Sequence, residues 1–238
     1  MPLPRASESY YQTHPTQLDQ KMQRGYLIIC DSCGAIESPS VKFRLCGGCA
    51  TTRYCSPDCQ KAHWPSHKAV CQHTAAQAST ATKIASVGEV DITKTLRKFT
   101  SAHSALLGWA GFQALQLKRI PSNVRRNALL LELSYRDHAE WLRRFSIVST
   151  HIVPRTYIRD PLVVNDIQRR EERCRHSGGI GTLVVILQCR DIAQVMPVEV
   201  DHPSKISWDE REDWLAVLNH FIESGRTDFK PISTTARG

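Results

Sequence analysis

Cys30-Asp31-Ser32-Cys33, Cys46-Gly47-Gly48-Cys49, Cys55-Ser56-Pro57-Asp58-Cys59 and His67-Lys68-Ala69-Val70-Cys71 all fall within 42 residues of a 238-residue chain. The stretch holds seven of the nine cysteines. Zinc prefers thiolate and imidazole donors, and a structural site fills all four tetrahedral positions, so four ligand pairs suffice for two Zn2+ ions. Two cysteines separated by two residues can both turn inward at a tight knuckle. Gly34, Gly47 and Gly48 stand beside these knuckles, where the backbone must bend sharply. The last two pairs have helical spacing. Ser56 is a good N-cap and Pro57 suits the first helical position, which predicts a helix from about Pro57 to Val70. His67 and Cys71, four apart, then share one face.

Spacing alone leaves open whether the pairs join consecutively or interleave. Only 12 residues separate the first two pairs and five separate the second from the third, too few for independent cores. This favours a cross-brace in which Cys30, Cys33, Cys55 and Cys59 hold one zinc and Cys46, Cys49, His67 and Cys71 hold the other. The competing reading is a disulfide cluster. Residues 1–25 are polar with no apolar run, so no secretory signal is expected. An intracellular location, nucleus or cytoplasm, follows, and there clustered cysteines bind metal rather than pair. Structural zinc contributes about 10–16 kcal/mol in small finger peptides, so the site should drive local folding.

The ligand order, together with Tyr54-Cys55-Ser56-Pro57 and Cys59-Gln60 before Trp64 and His67, resembles a MYND-type zinc finger. A RING domain places its histidine mid-pattern and a PHD finger places it near the fifth ligand; here it comes seventh. The resemblance implies the same interleaved pairing. It also implies a role: docking short proline-rich peptides of partner proteins, often transcriptional regulators, with the positions of Gln60 and Trp64 lining the groove. Those two residues are i and i+4 on the predicted helix, and an indole beside an amide suits a polyproline II segment with its rigid rings and free carbonyls. Trp64 serves equally as a packing residue of the finger. His63 has helical spacing to Cys59 and His67, but eight ligands are complete without it.

Outside the finger the chain is less specific. Residues 1–29 read as a flexible arm, 72–90 as a linker rich in Ala, Ser and Thr, 91–226 as an α+β domain, and 227–238 as a flexible tail. A helix from Asp91 or Thr93 to about Lys118 carries apolar residues around most of its circumference and is expected to be central, with Gly108 and Gly111 allowing close approach. Strands are expected over 128–136, 145–158 and 182–189, with a further one reaching Val200. Asp160-Pro161 starts a helix that Gly178-Gly179 stops, and a closing helix spans about Trp208 to Glu223. The approximate order is α-β-β-α-β-α. A finger followed by such a domain resembles the architecture of many fungal MYND-finger proteins, a resemblance that brings no chemistry with it.

The formal charge of +8 falls to +5 once seven thiolates and two divalent ions are counted. Basic pairs (Arg125-Arg126, Arg143-Arg144, Arg169-Arg170) are scattered, so a basic nucleic-acid-binding regulator is the alternative reading, with weak and nonspecific attraction only. No apolar run approaches 18 residues, so no membrane span is expected. An enzyme is not expected: GxSxG, P-loop and GxGxxG motifs are absent. A SET-type lysine methyltransferase, in which such fingers occur inserted, would need catalytic sequence before Cys30, and Asn219-His220 only superficially echoes its motif. The oligomeric state leaves no mark in the sequence.

Overall fold

The computed structural model describes residues 26–38, 40–49, 51–83 and 92–234. In chain order they form strands β1 (Tyr26–Leu27), β2 (Arg44–Leu45) and β3 (Arg53–Tyr54), then helices α1 (Pro57–Lys83), α2 (Ile92–Ala102), α3 (Ser104–Ala114) and α4 (Asn123–Arg126). Strands β4 (Asn127–Tyr135) and β5 (Phe145–Pro154), helix α5 (Pro161–His176), strands β6 (Gly181–Cys189) and β7 (Ile192–Val200) and helix α6 (Trp214–Ser224) complete the chain. One five-stranded sheet has the order β1-β7-β6-β4-β5, and β2 and β3 make a small separate ribbon. β4 and β6 run parallel; the other neighbours in the large sheet are antiparallel.

Side-chain alternation sorts the sheet's two faces. Leu129, Leu131, Leu133, Leu183, Val185 and Leu187 pack against Leu96, Phe99, Phe112 and Phe221 of α2, α3 and α6. Ala128, Leu130, Val184 and Ile186 face the other way, onto Ile167 of α5. β6 is therefore buried on both sides, which explains its unbroken Leu183-Val184-Val185-Ile186-Leu187 run.

Several boundaries differ from those the sequence suggested, each for a visible reason. α1 runs to Lys83 rather than stopping near Val70. From Cys71 to Lys83 there is neither Gly nor Pro, and alanine is the strongest helix former, so a composition read as linker supports helix instead. The helix expected to reach Lys118 is divided at His103, whose ring Nδ1 donates to the Phe99 carbonyl at 3.1 Å. It ends at Ala114, just before Gln116 takes a left-handed φ of 53°. β5 stops at Pro154, which has no N–H for the ladder. α6 begins at Trp214, not Trp208, because Gln113 Nε2 and Lys118 Nζ hold the carbonyls of Asp209 and Trp208 at 2.8 and 2.7 Å. The order α-β-β-α-β-α thus becomes α-α-α-β-β-α-β-β-α, since β6 and β7 form a hairpin.

The segments read as arm and tail are partly built into the core. Residues 1–25, 84–91 and 235–238 lie outside the described residues. Tyr26–Leu27 pairs with β7, however, and Ile29 is buried. Phe229 packs against Trp109 and Phe221 at ring separations of 5.0 and 5.3 Å.

Candidate metal centre

The finger is folded by short backbone closures that aim sulfur atoms inward. The first knuckle is closed by Gly34 N–H on the Cys30 carbonyl (3.0 Å) and Cys30 N–H on the Ala35 carbonyl (2.8 Å). Gly34 sits at φ 75°, a conformation that only glycine adopts freely. The second knuckle is closed by Cys46 N–H on the Thr52 carbonyl at 2.8 Å. Ser56 Oγ caps α1 by accepting from Cys59 N–H at 3.2 Å, as its position suggests.

These closures bring Cys30, Cys33, Cys55 and Cys59 together, and separately Cys46, Cys49, His67 and Cys71, with all four donor atoms of each set within 4.8 Å of one another. The pairing is interleaved. Tetrahedral zinc with Zn–S of about 2.3 Å and Zn–N of about 2.0 Å requires S···S edges of about 3.8 Å and S···N edges of about 3.5 Å. Observed edges are 3.6 Å for Cys33–Cys55, 3.4 Å for Cys55–Cys59, 3.7 Å for Cys46–Cys71 and 3.6 Å from Cys49 Sγ to His67 Nε2. A disulfide would need about 2.05 Å, and all the cysteines are free thiols. The residues therefore fit two zinc ions, one held by four thiolates and one by three thiolates and an imidazole.

The electrostatics point the same way. Burial opposes ionisation of Cys30, yet backbone N–H groups of Cys33, Cys55 and Ser32 bring its thiol down to about 7. A hydrogen bond from the Cys46 thiol, acting against burial and helped by His67, brings Cys49 down to about 3. The neighbours pay in the opposite direction: Cys55 is pushed up to about 12, chiefly by Cys59, and Cys46 is raised by Cys49. Thiols packed this closely cannot all ionise by themselves, whereas a divalent cation at each centre favours every thiolate at once.

Supporting residues complete the second centre. Thr52 Oγ1 lies 3.4 Å from His67 Nδ1 and 3.6 Å from Cys49 Sγ. By occupying Nδ1 it would leave Nε2 to hold a zinc ion, as outer-shell partners of ligand histidines do. Gly48 presses on the site: a Cβ there would stand 2.6 Å from Cys71 Sγ. His63 stays outside both donor sets. Its Nδ1 pairs with the Tyr54 hydroxyl at 3.0 Å and its ring stacks on His67 at 5.6 Å. Gln60 Nε2 approaches Cys46 Sγ at 4.0 Å. Trp64 meets His67 edge-on at 6.1 Å and remains 39% exposed.

Thr52 and Asp31 are the functional residues that spacing could not find. Threonine has no ligand signature, and Asp31 acts on residues far along the chain. Its carboxylate accepts from Arg53 N–H at 2.7 Å and from Arg173 Nη1 at 2.9 Å.

The family model for the MYND finger matches residues 30–71. MYND-type zinc finger protein samB of Aspergillus clavatus is 45% identical over 42 residues, 18% of this chain. The alignment spans 7% of that protein's length. No solved structure matches the chain. Residues 30–71 of this chain are therefore a MYND-type zinc finger that takes two zinc ions through crossed ligand sets.

Proposed function

We propose that the protein is an interaction adaptor whose finger docks short proline-rich segments of partner proteins, including transcriptional regulators, and that it has no catalytic activity of its own. The observation that supports this reading most is the face made by Gln60 and Trp64. They stand one turn apart on α1, and the indole is 39% exposed although its edge is fixed against His67. An aromatic plane held by packing on one side and open on the other suits a proline ring, and the neighbouring amide can donate to a free carbonyl. A nuclear or cytoplasmic location belongs to the same proposal; among the described residues no helix is long and apolar enough to cross a membrane.

The test is titration of a fluorescent proline-rich peptide with the zinc-loaded full chain and with Trp64→Ala. The expected result is saturable binding that Trp64→Ala weakens at least about tenfold, with two zinc ions retained by elemental analysis. A folded, zinc-loaded protein that binds no proline-rich peptide, or a Trp64→Ala variant that binds like the wild type, would refute the proposal.

A further inference from the structure

The finger does not hang from the helix/sheet domain; it is clamped to it at the first zinc site. β1 leads directly into Ile29, Cys30 and Asp31, and it is an edge strand of the domain's sheet, with Tyr26 opposite Val200 and Leu27 opposite Glu199. The Asp31 side chain is wholly buried. Its Oδ1 faces three arginines of α5: Arg173 at 2.9 Å, Arg170 at 3.3 Å and Arg169 at 3.5 Å. Asp166 binds Arg169 and Arg170 at 2.6 and 2.8 Å, and Glu199 of β7 pairs with Arg173 and, at 3.7 Å, with Arg170. Three arginines thus balance three carboxylates in a largely buried cluster, and one of those carboxylates belongs to the finger.

We propose that the first zinc ion is the latch of this interface, so that its release detaches the finger from α5 and β7 and makes the domain responsive to metal supply. Asp31 lies between Cys30 and Cys33, and its position is set by the knuckle those two ligands close. Without the ion the knuckle is free to open, and Asp31 then leaves three arginines facing two carboxylates. Arg170 is only 3% exposed, and its Nη2, 3.3 Å from Asp31 Oδ1, makes no hydrogen bond among the described residues, so an unbalanced charge there is strongly unfavourable. The two centres differ in access. Cys33 is exposed and Cys55 and Cys59 are half-buried, whereas all four ligands of the second centre are buried. A chelator therefore reaches the latch first. The second centre's side of the finger reaches the domain through Arg97 Nη1 on the Gly48 carbonyl at 2.9 Å and through His73, two residues after Cys71, which binds Asp160 at the start of α5. The inference is independent of peptide docking, and its test uses no peptide.

The experiment is hydrogen exchange with mass spectrometry on the full chain, combined with zinc counting during titration by a chelator. Removal of the first equivalent of zinc is expected to speed exchange in Ile192–Val200 and Pro161–His176 at least about tenfold. Asp31→Asn removes no ligand but unbalances the same cluster. Because coupling is reciprocal, it should both loosen β7 and weaken the first centre's hold on zinc. Arg173→Gln, which touches neither metal centre, should do the same. Cys71→Ser, which breaks the second centre, should act around Arg97 in Ile92–Ala102 and at Asp160 where α5 begins, and should leave the Glu199 end of β7 unchanged. Unchanged exchange in β7 and α5 on loss of the first zinc, wild-type behaviour of both Asp31→Asn and Arg173→Gln, or an equal response of the Glu199 end of β7 to Cys71→Ser would each overturn the proposal.

Discussion

Two adjacent glycines separate metal geometry from backbone flexibility. Neither Gly47 nor Gly48 has a positive φ among the glycines that do, so alanine fits the backbone at both. A Cβ on Gly47 would meet nothing within 4 Å, while one on Gly48 would stand 2.6 Å from Cys71 Sγ and 3.9 Å from Cys46 Sγ. Relief to an ordinary contact of about 3.5 Å needs a displacement of about 1 Å. Metal-ligand distances tolerate about 0.2 Å. Gly48→Ala must therefore push Cys71 out of the second coordination sphere or distort the knuckle that holds Cys46. Weakening an outer-shell partner typically costs 10–100-fold in metal affinity, so losing a ligand should cost at least about 100-fold, or about 2.7 kcal/mol. Gly47→Ala should leave zinc binding intact and stabilise the fold by about 0.4–1 kcal/mol by restricting the unfolded chain. Competition against a chromogenic chelator measures both affinities, and elemental analysis counts the ions. If Gly48→Ala keeps two zinc ions at wild-type affinity, the placement of Cys71 beside that glycine is wrong.

Two further outcomes test other parts of the structure. Thr52→Val removes the hydroxyl between His67 Nδ1 and Cys49 while keeping its volume. The second centre should lose about 10–100-fold in zinc affinity, the first should not change, and Thr52→Ser should restore the loss. Gly111→Val tests the contact between α3 and the sheet: a Cβ there already stands 3.0 Å from Leu183 Cδ2 and 3.1 Å from Val185 Cγ2. Overpacking of this kind costs about 1–3 kcal/mol. It should lower the melting temperature by several degrees with both zinc ions still bound.

What could be read in advance followed from how local each cause is. The eight ligands declare themselves because few arrangements of thiols and an imidazole at these spacings serve any other end. The short intervals at 34–45 and 50–54 favour the crossed pairing, which the donor distances bear out. β6 was legible because burial on both faces demands a continuous apolar run. The helix beyond Val70 was not, because a stretch of Ala, Ser and Thr is compatible with linker until its lack of Gly and Pro is weighed. Phe229 looked like part of a tail because its partners, Trp109 and Phe221, come from two other helices. Asp31 was hidden most deeply, since its meaning depends on Arg173, 142 positions later.

That long-range contact changes how the finger is to be regarded. Four thiolates on one Zn2+ leave a formal charge of −2 at the first centre, and Asp31 adds a further −1 beside it. The counter-charge comes from α5, whose Arg169, Arg170 and Arg173 converge on Asp31. Asp166 and Glu199 hold Arg170 and Arg173 from the domain's side. The domain thus supplies the guanidinium groups that face the finger's Asp31, and the segment that leads into the finger supplies the domain's sheet with the edge strand β1. Each half completes the other, which is why a partner bound on the Gln60–Trp64 face would meet one body rather than a module on a tether.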